Sequence, residues 1–556
     1  MARVLRARDP RRRTDGRQRP SERAGVPPHG RGRRRCGTPC GCSAHGPGRT
    51  PCPGGRGRGG RSGPGAGRGL RRMGGTMSNI LLIARRQVGA MREDRYFVFL
   101  LGLVAALGIV SVLAARHHAA SEAEQRARYQ AVVDRQWAEQ PERHPHRVIH
   151  YGFLVFREEA PLAFFDPGVG AFAGTSLFLE GHRQNSASFG DARHATAMLS
   201  FGRLTPAAVL GLLLPLLIVA AGFASVSGER EKGTLPLILA QGATPARIMA
   251  GKALGIGAAA VVAALPIALV TAAFVAAGGG DQPAVARMLA LAATYAAYLA
   301  GWVLLTVWVS SRSASSRAAL ARLVAIWVVL CVAAPRLGTS LANALHPMPS
   351  RAEFTAQVEE AQRQVGDSHN PDDPFFSALR DEYLARYQVA SVEELPINWA
   401  GVVSREGEAA TSRINEEQHQ ELLAVHRRQD RVMAWLGLLS PHLAARDLSM
   451  AAAGTGPEAV EAFRSQAEAH RYAIIQRLND LHTHEIHYEN DRAQRLARQH
   501  WTQFPVFRSD LPSLRRVLAD RPLSLAALGL WIALPLAGLG LGRKRLPRVG
   551  VDRLSR

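Results

Sequence analysis

Two groups of residues in this 556-residue chain have types and spacing that could do chemistry. The first is a charged cluster, Glu229, Arg230, Glu231 and Lys232, inside SGEREKGTLPLILAQGATPARIMAGKALG, residues 227–255. Gly233 and Thr234 break the chain after it. A short amphipathic helix is expected next, and Gly242, Pro245 and Gly251 punctuate the return into the next apolar run. Two acids at the mouth of an apolar helix are costly to bury and usually pair with basic groups. Arg247 and Lys252 are within reach in the sequence. Taken alone, the cluster reads as an ordinary charged helix terminus.

The second group is histidine. LHTHEIHYEN sets His482, His484 and His487 beside Glu485 and Glu489. On a helix, His484 and His487 share a face at i, i+3, and imidazoles with carboxylates bind zinc or copper. The segment is not H-E-x-x-H, because a single residue separates Glu485 from His487. His144, His146 and His150 form another group, and His117 with His118 a third. With 19 histidines in the chain, chance clusters on solvated helices are expected. No metal is therefore expected, with His482, His484 and His487 as weak candidates. No catalytic residue is expected either. G-x-S-x-G is missing around Ser176, and Glu158 with Glu159 reads as solvated charge in a loop. Gly251-Lys252 is followed by Ala253, and position −5 is Ala246, so no phosphate-binding G-x-x-x-x-G-K-[ST] forms there.

The elements around these groups are mostly apolar helices. The composition is 47% apolar and 21% charged with mean hydropathy near zero, an average over two unlike populations. A helix crossing a bilayer needs about 20 apolar residues. Uncharged windows of that length lie at 96–115, 204–228, 253–280, 288–311 and 522–542. Such blocks exclude an ordinary soluble enzyme. A sixth window is short, 13 residues between Arg322 and Arg336. It reaches full length if Arg322 snorkels toward the headgroups and the helix begins near Ala318. The alternative is a re-entrant or interfacial segment.

Charge asymmetry favours six crossings. Basic residues prefer the cytoplasmic side of short loops. Arg85, Arg86, Arg92 and Arg95 precede the first window. Arg312, Arg317 and Arg322 lie between the fourth and the short one, and Arg543, Lys544, Arg545 and Arg548 follow the last. Six crossings put all three clusters in the cytoplasm together with the 227–252 loop. Residues 116–203 and 340–520 then lie outside. The second of these is polar and helix-prone, with apolar residues at helical spacing in Val460, Phe463, Ala467, Ile474, Ile475, Leu478 and Leu481. The expected fold class is all-α: a polytopic membrane protein with six transmembrane helices and a mostly helical extracytoplasmic domain. Pro206, Pro215 and Pro266 would kink their helices.

The net charge of +24 looks like a nucleic-acid signal, but 20 Arg against Asp9, Asp15 and Glu22 place +17 of it in residues 1–76. That Arg/Gly/Pro-rich arm has too few large apolar residues to order itself. Met77 opens MSNILLIARRQ, which reads as a start of translation, so the arm is expected to be an upstream extension. It holds Cys36, Cys40, Cys42 and Cys52, whose spacing fits no zinc pattern, and leaves Cys331 in an apolar run. No nucleic-acid partner is expected.

The run GEREKGTLPLILAQGATPARIMAGK resembles the E-R-E-x-G-T-L…G-K signature of ABC-2 type transporter permease subunits. Glu229, Arg230, Glu231, Gly233, Thr234 and Leu235 match position by position, and Lys252 matches the closing Gly-Lys. HYGFLVFREEAPLAFFDPGVGAFAGTSLFLEGHRQN (150–185) looks like the first outer segment of a branch of that family described as a domain of unknown function. The resemblance covers roughly 77–545, with 340–520 only loosely matched. It implies a chain without an ATPase site, whose 227–252 loop contacts a separate ATPase that binds ATP and Mg. Six crossings are few for a translocation path, so a second permease subunit is expected alongside, in a bacterial inner membrane. The alternative expectation is a membrane-anchored scaffold or mechanotransmitter whose outer helices act on an envelope protein.

Overall fold

A computed structural model describes residues 67–185, 204–366 and 373–541. The arm up to residue 66, its four cysteines and the basic cluster at 543–548 lie outside the described residues. Among those described, six helices are long and apolar enough to cross a membrane. They are α2 (Arg95–Ala138), α4 (206–222, continued by a turn to Glu231), α7 (Pro245–Ala277), α8 (Gln282–Arg312), α9 (Ser316–Leu345) and α15 (Pro522–Leu541). The short sixth window is thus part of a continuous 30-residue helix, long and apolar enough to cross a membrane. At about 1.5 Å per residue, the 44 residues of α2 run well past a hydrocarbon layer of about 30 Å, so its polar second half lies beyond the apolar zone. Ahead of it, α1 (Gly67–Glu93) is stopped by Asp94, whose carboxylate caps the next helix by accepting from the Tyr96 and Phe97 amides. Gly251 and Gly255 of α7 let α1 approach closely, since a Cβ at either would meet Ile83 or Gln87 at 2.7 Å.

The bundle is organised around α8, which buries Tyr295, Tyr298, Trp302 and Thr306 among others. Two of its neighbours carry a wide helical turn ahead of a proline. In α4 the wide turn spans Val209–Leu213, and Pro215 follows. Proline has no N–H, so the carbonyl four residues back loses its partner. Here that carbonyl is Gly211, and it accepts instead from the Tyr298 hydroxyl at 2.7 Å. In α9 the wide turn spans Val328–Ala333, ahead of Pro335. The carbonyl of Leu330 accepts from the Ser440 hydroxyl at 2.7 Å. Pro206 makes no kink: it is the first residue of its helix, behind the capping Thr205.

The long polar segment forms α10 (Arg351–Val365), α11 (Pro374–Tyr387), α12 (Trp399–Leu439), α13 (Pro441–Ala453) and α14 (Pro457–Glu485). The expected apolar stripe of α14 is buried, from Phe463 to Leu481. It packs along α12, and the two are joined by Arg471, which is fully buried and holds Glu408 at 2.7 Å. This segment is not self-contained. Helix α13 buries Ala444, Ala445, Leu448 and Ala451–Ala453 against α8 and α15. Arg287 of α8 is buried and donates to the Ala451 and Ala452 carbonyls at 3.2 and 3.3 Å, closing the C-terminal end of α13.

A two-stranded hairpin that the helical pattern concealed joins β1 (Phe153–Phe156) to β2 (Ser176–Leu179), antiparallel with Phe153 opposite Leu179. The loop between them is tied to the bundle by buried Asp166. Its carboxylate accepts from Ser449 at 2.6 Å and its carbonyl from Thr455 at 2.8 Å. Just before β1 comes a seven-residue helix, α3 (Pro145–Tyr151).

Removing the Tyr298 hydroxyl leaves the Gly211 carbonyl unpaired in an apolar interior. Tyr298→Phe should lower stability by roughly 1 kcal/mol without blocking membrane insertion. Thermal melting of the detergent-solubilised variant checks this, and an unchanged melting temperature would contradict it.

Candidate functional site

The charged cluster sits where α4 unwinds. Backbone at 223–226 leaves the helix, and its orphaned groups are met by the Ser310 hydroxyl, with the Ser227 hydroxyl also donating to the Phe223 carbonyl at 2.9 Å. The Ser310 hydroxyl accepts from the Val226 and Ser227 amides at 3.1 and 3.2 Å and donates to the Phe223 carbonyl at 2.8 Å. A single turn of helix comes next, α5 (Ser227–Glu231), and then Gly233 reverses the chain at φ +69°. That left-handed backbone suits glycine. The expected short helix is α6 (Thr234–Ala240), after which Gly242 turns again at φ +84° and Thr244 caps α7.

Three of the four charges in this turn, Glu229, Arg230 and Glu231, are directed at the chain's own framework. Glu229 accepts from Lys252 Nζ at 3.0 Å and from the Thr234 hydroxyl, bracing the turn against α7. Arg230 donates to the Ser311 carbonyl at 2.8 Å and to that of Ser313, closing the C-terminal end of α8. Glu231 accepts from the Ser316 amide at 3.0 Å and from its hydroxyl, closing the N-terminal end of α9. Of the residues singled out in the sequence, Glu229, Thr234 and Lys252 meet directly. Arg230 and Glu231 reach the turn at 311–316. Leu235 is buried in the bundle core, and Gly233 is exposed. Glu231 therefore turns to Ser316 and not to a neighbouring base. The residues missed were Ser310, Ser311, Ser313 and Ser316. Their signal was the run SSRSASS at 310–316, small polar residues closing an apolar helix. The outer edge of the turn, Lys232, Pro236, Leu237 and Gln241, is exposed or half-buried, Leu237 by 63% exposed.

The histidines assemble differently from the sequence pattern. Helix α14 stops at Glu485 and Ile486 is extended, so His484 and His487 share no helical face. Both are exposed, and His484 Nδ1 lies 3.2 Å from an Asp480 carboxylate oxygen. His482 alone turns inward. Its Nε2 lies 2.6 Å from Asp491 Oδ1, with His144 Nε2 at 3.4 Å from the same oxygen. His146 and His150 stand one turn apart on α3 with Nε2 atoms 3.2 Å apart, and the rings of both approach His182. His182 lies after β2, far along the chain, and no spacing rule links it to α3. Burial, joined by the neighbouring imidazoles, pushes His146 down to about 3. Burial would raise Asp491, but the His482 hydrogen bond and charge hold it below the usual carboxylate range.

A cavity of about 440 Å³ opens between α2 and the 157–175 loop. Val110, Ala114, Phe164 and Leu204 give it an apolar floor, and His118, Glu122 and Glu158 a polar rim. Glu159, expected to be solvated, accepts from Arg126 at 2.7 Å on that rim.

With this geometry in view, comparison with known families gives one finding. A model described as "Domain of unknown function (DUF3526)" matches residues 351–510, which are α10 to α14 and the turns after them. No curated protein matches the chain.

The Glu229–Lys252 pair is largely withdrawn from solvent, Lys252 being 8% exposed. Lys252→Met should cost about 1–3 kcal/mol by stranding the carboxylate. Adding Glu229→Gln should recover part of that loss. A double-mutant cycle on melting reads the coupling, and strictly additive effects would show that the pair is idle.

Proposed function

We propose that this chain is the permease subunit of an ATP-binding cassette transporter of the ABC-2 type. A separate ATPase binding ATP and Mg drives it, and a second permease subunit completes it in a bacterial inner membrane. The observation that carries this reading is the construction of the 223–244 turn. Glu229, Arg230 and Glu231 are committed to α7, α8 and α9, while Lys232, Pro236 and Leu237 are exposed on its outer edge. A push on α6 therefore reaches three membrane helices through directed polar contacts. The apolar edge at Pro236 and Leu237, next to Lys232, suits a partner's surface groove. The likeness of Glu229–Leu235 to the permease signature supports the same reading. With this turn in the cytoplasm, α10 to α14 lie on the outer face, and the cavity beside α2 opens toward that side.

One observation favours the second reading, a mechanotransmitter acting on an envelope protein. Helix α13 is wedged against α8 and α15, and the 41-residue α12 runs directly into it. Movement of α8 would be conducted into a rod about 60 Å long at 1.5 Å per residue.

Two measurements test the proposal. With Glu229→Ala and Glu231→Ala together, the assembled transporter should still hydrolyse ATP while transport falls about tenfold, the loss expected for roughly 1.4 kcal/mol of coupling. Unchanged transport rejects the lever. Separately, Lys232→Cys in a chain whose native cysteines are Ser should resist an impermeant thiol reagent in intact cells and react in inverted vesicles. Labelling in intact cells would invert the topology and end the permease reading.

A further inference from the structure

We infer that His146, His150 and His182 form a zinc site that fastens α3 to the turn after β2. One nitrogen from each ring lies within 4.8 Å of the other two. Zinc binds imidazole nitrogen at about 2.0–2.1 Å, which sets two tetrahedral ligands about 3.3 Å apart. The His146 and His150 Nε2 atoms are already at 3.2 Å. They come from adjacent turns of one helix, the spacing at which two side chains meet on one face.

His182 is held in place from behind. Its backbone is left-handed at φ +59°, a conformation that a side chain disfavours. Strain of this kind persists where the surroundings over-determine it. Here the surroundings are Glu408, fully buried, which accepts from the His182 amide at 2.9 Å and lies 3.4 Å from its Nδ1. Arg471 in turn holds Glu408. A carboxylate on the far nitrogen of a ligating imidazole fixes ring orientation and raises basicity. With Nδ1 toward Glu408, Nε2 is the ligating atom. His150 is exposed, which gives the ion an entry path and leaves a fourth position for water.

The neighbouring group of His144, His482 and Asp491 also places its ligand atoms close together. Its carboxylate is already engaged by His482 at 2.6 Å and by the Asn398 amide at 2.8 Å. It therefore reads as a hydrogen-bonded brace, and the three-imidazole group takes the metal. The metal would close the loop between α3 and residue 182, which encloses the whole hairpin.

The test uses the full chain in detergent, stripped with a chelator, reloaded with zinc chloride and dialysed. One zinc per chain is expected, with a rise in melting temperature. His150→Ala, at an exposed position, should melt normally without zinc, retain at least tenfold less metal and lose the zinc-dependent rise. His182→Ala should do the same, and His484→Ala should bind as the parent does. A folded parent that retains no zinc overturns the proposal. So does equal retention by His150→Ala, or a loss confined to Asp491→Asn, which would move the ion to the neighbouring group.

Discussion

A helix that breaks inside an apolar layer must find partners for its freed backbone groups, because no water is there to take them. Three breaks in this bundle meet that constraint with side-chain hydroxyls. Ser310 serves the unwound turn at 223–227, Tyr298 the carbonyl ahead of Pro215, and Ser440 a carbonyl ahead of Pro335. Two of the three hydroxyls belong to α8. That helix therefore sits at the centre for a chemical reason as well as a packing one. The prolines do more than bend their helices, since each exposes an acceptor that a specific neighbour must reach.

The same logic governs the charged turn. Arg230 and Glu231 look like surface charges in the sequence, yet they complete the ends of α8 and α9. A turn with Glu229, Arg230 and Glu231 all engaged internally is held at several points. Leu237 and Lys232 remain exposed on its outer edge.

The six long helices were legible because uncharged windows leave little alternative, and even the 13-residue window gained its length from flanking residues. Gly233 and Gly242 marked the reversals correctly. What could not be read were pairings across the chain. His182 meets α3 only because Glu408, 226 positions away, anchors its backbone. Likewise, the strands at 153–156 and 176–179 are four residues each, too short for their alternation to stand out. Helix α13 was hidden for another reason. Its small apolar residues resemble those of any alanine-rich polar helix until α8 is seen to need a cover.

That cover arrives late. Arg287 waits for carbonyls 164 positions downstream, and Tyr295 for a hydroxyl 154 positions downstream. During synthesis, α8 must therefore enter the bilayer with one face provisionally packed against lipid or insertion machinery. The bundle can reach its final form only after α13 has been made and docked. Contacts of such long sequence separation slow folding. Quality control in the membrane would consequently see a half-finished α8 for much of the chain's early life.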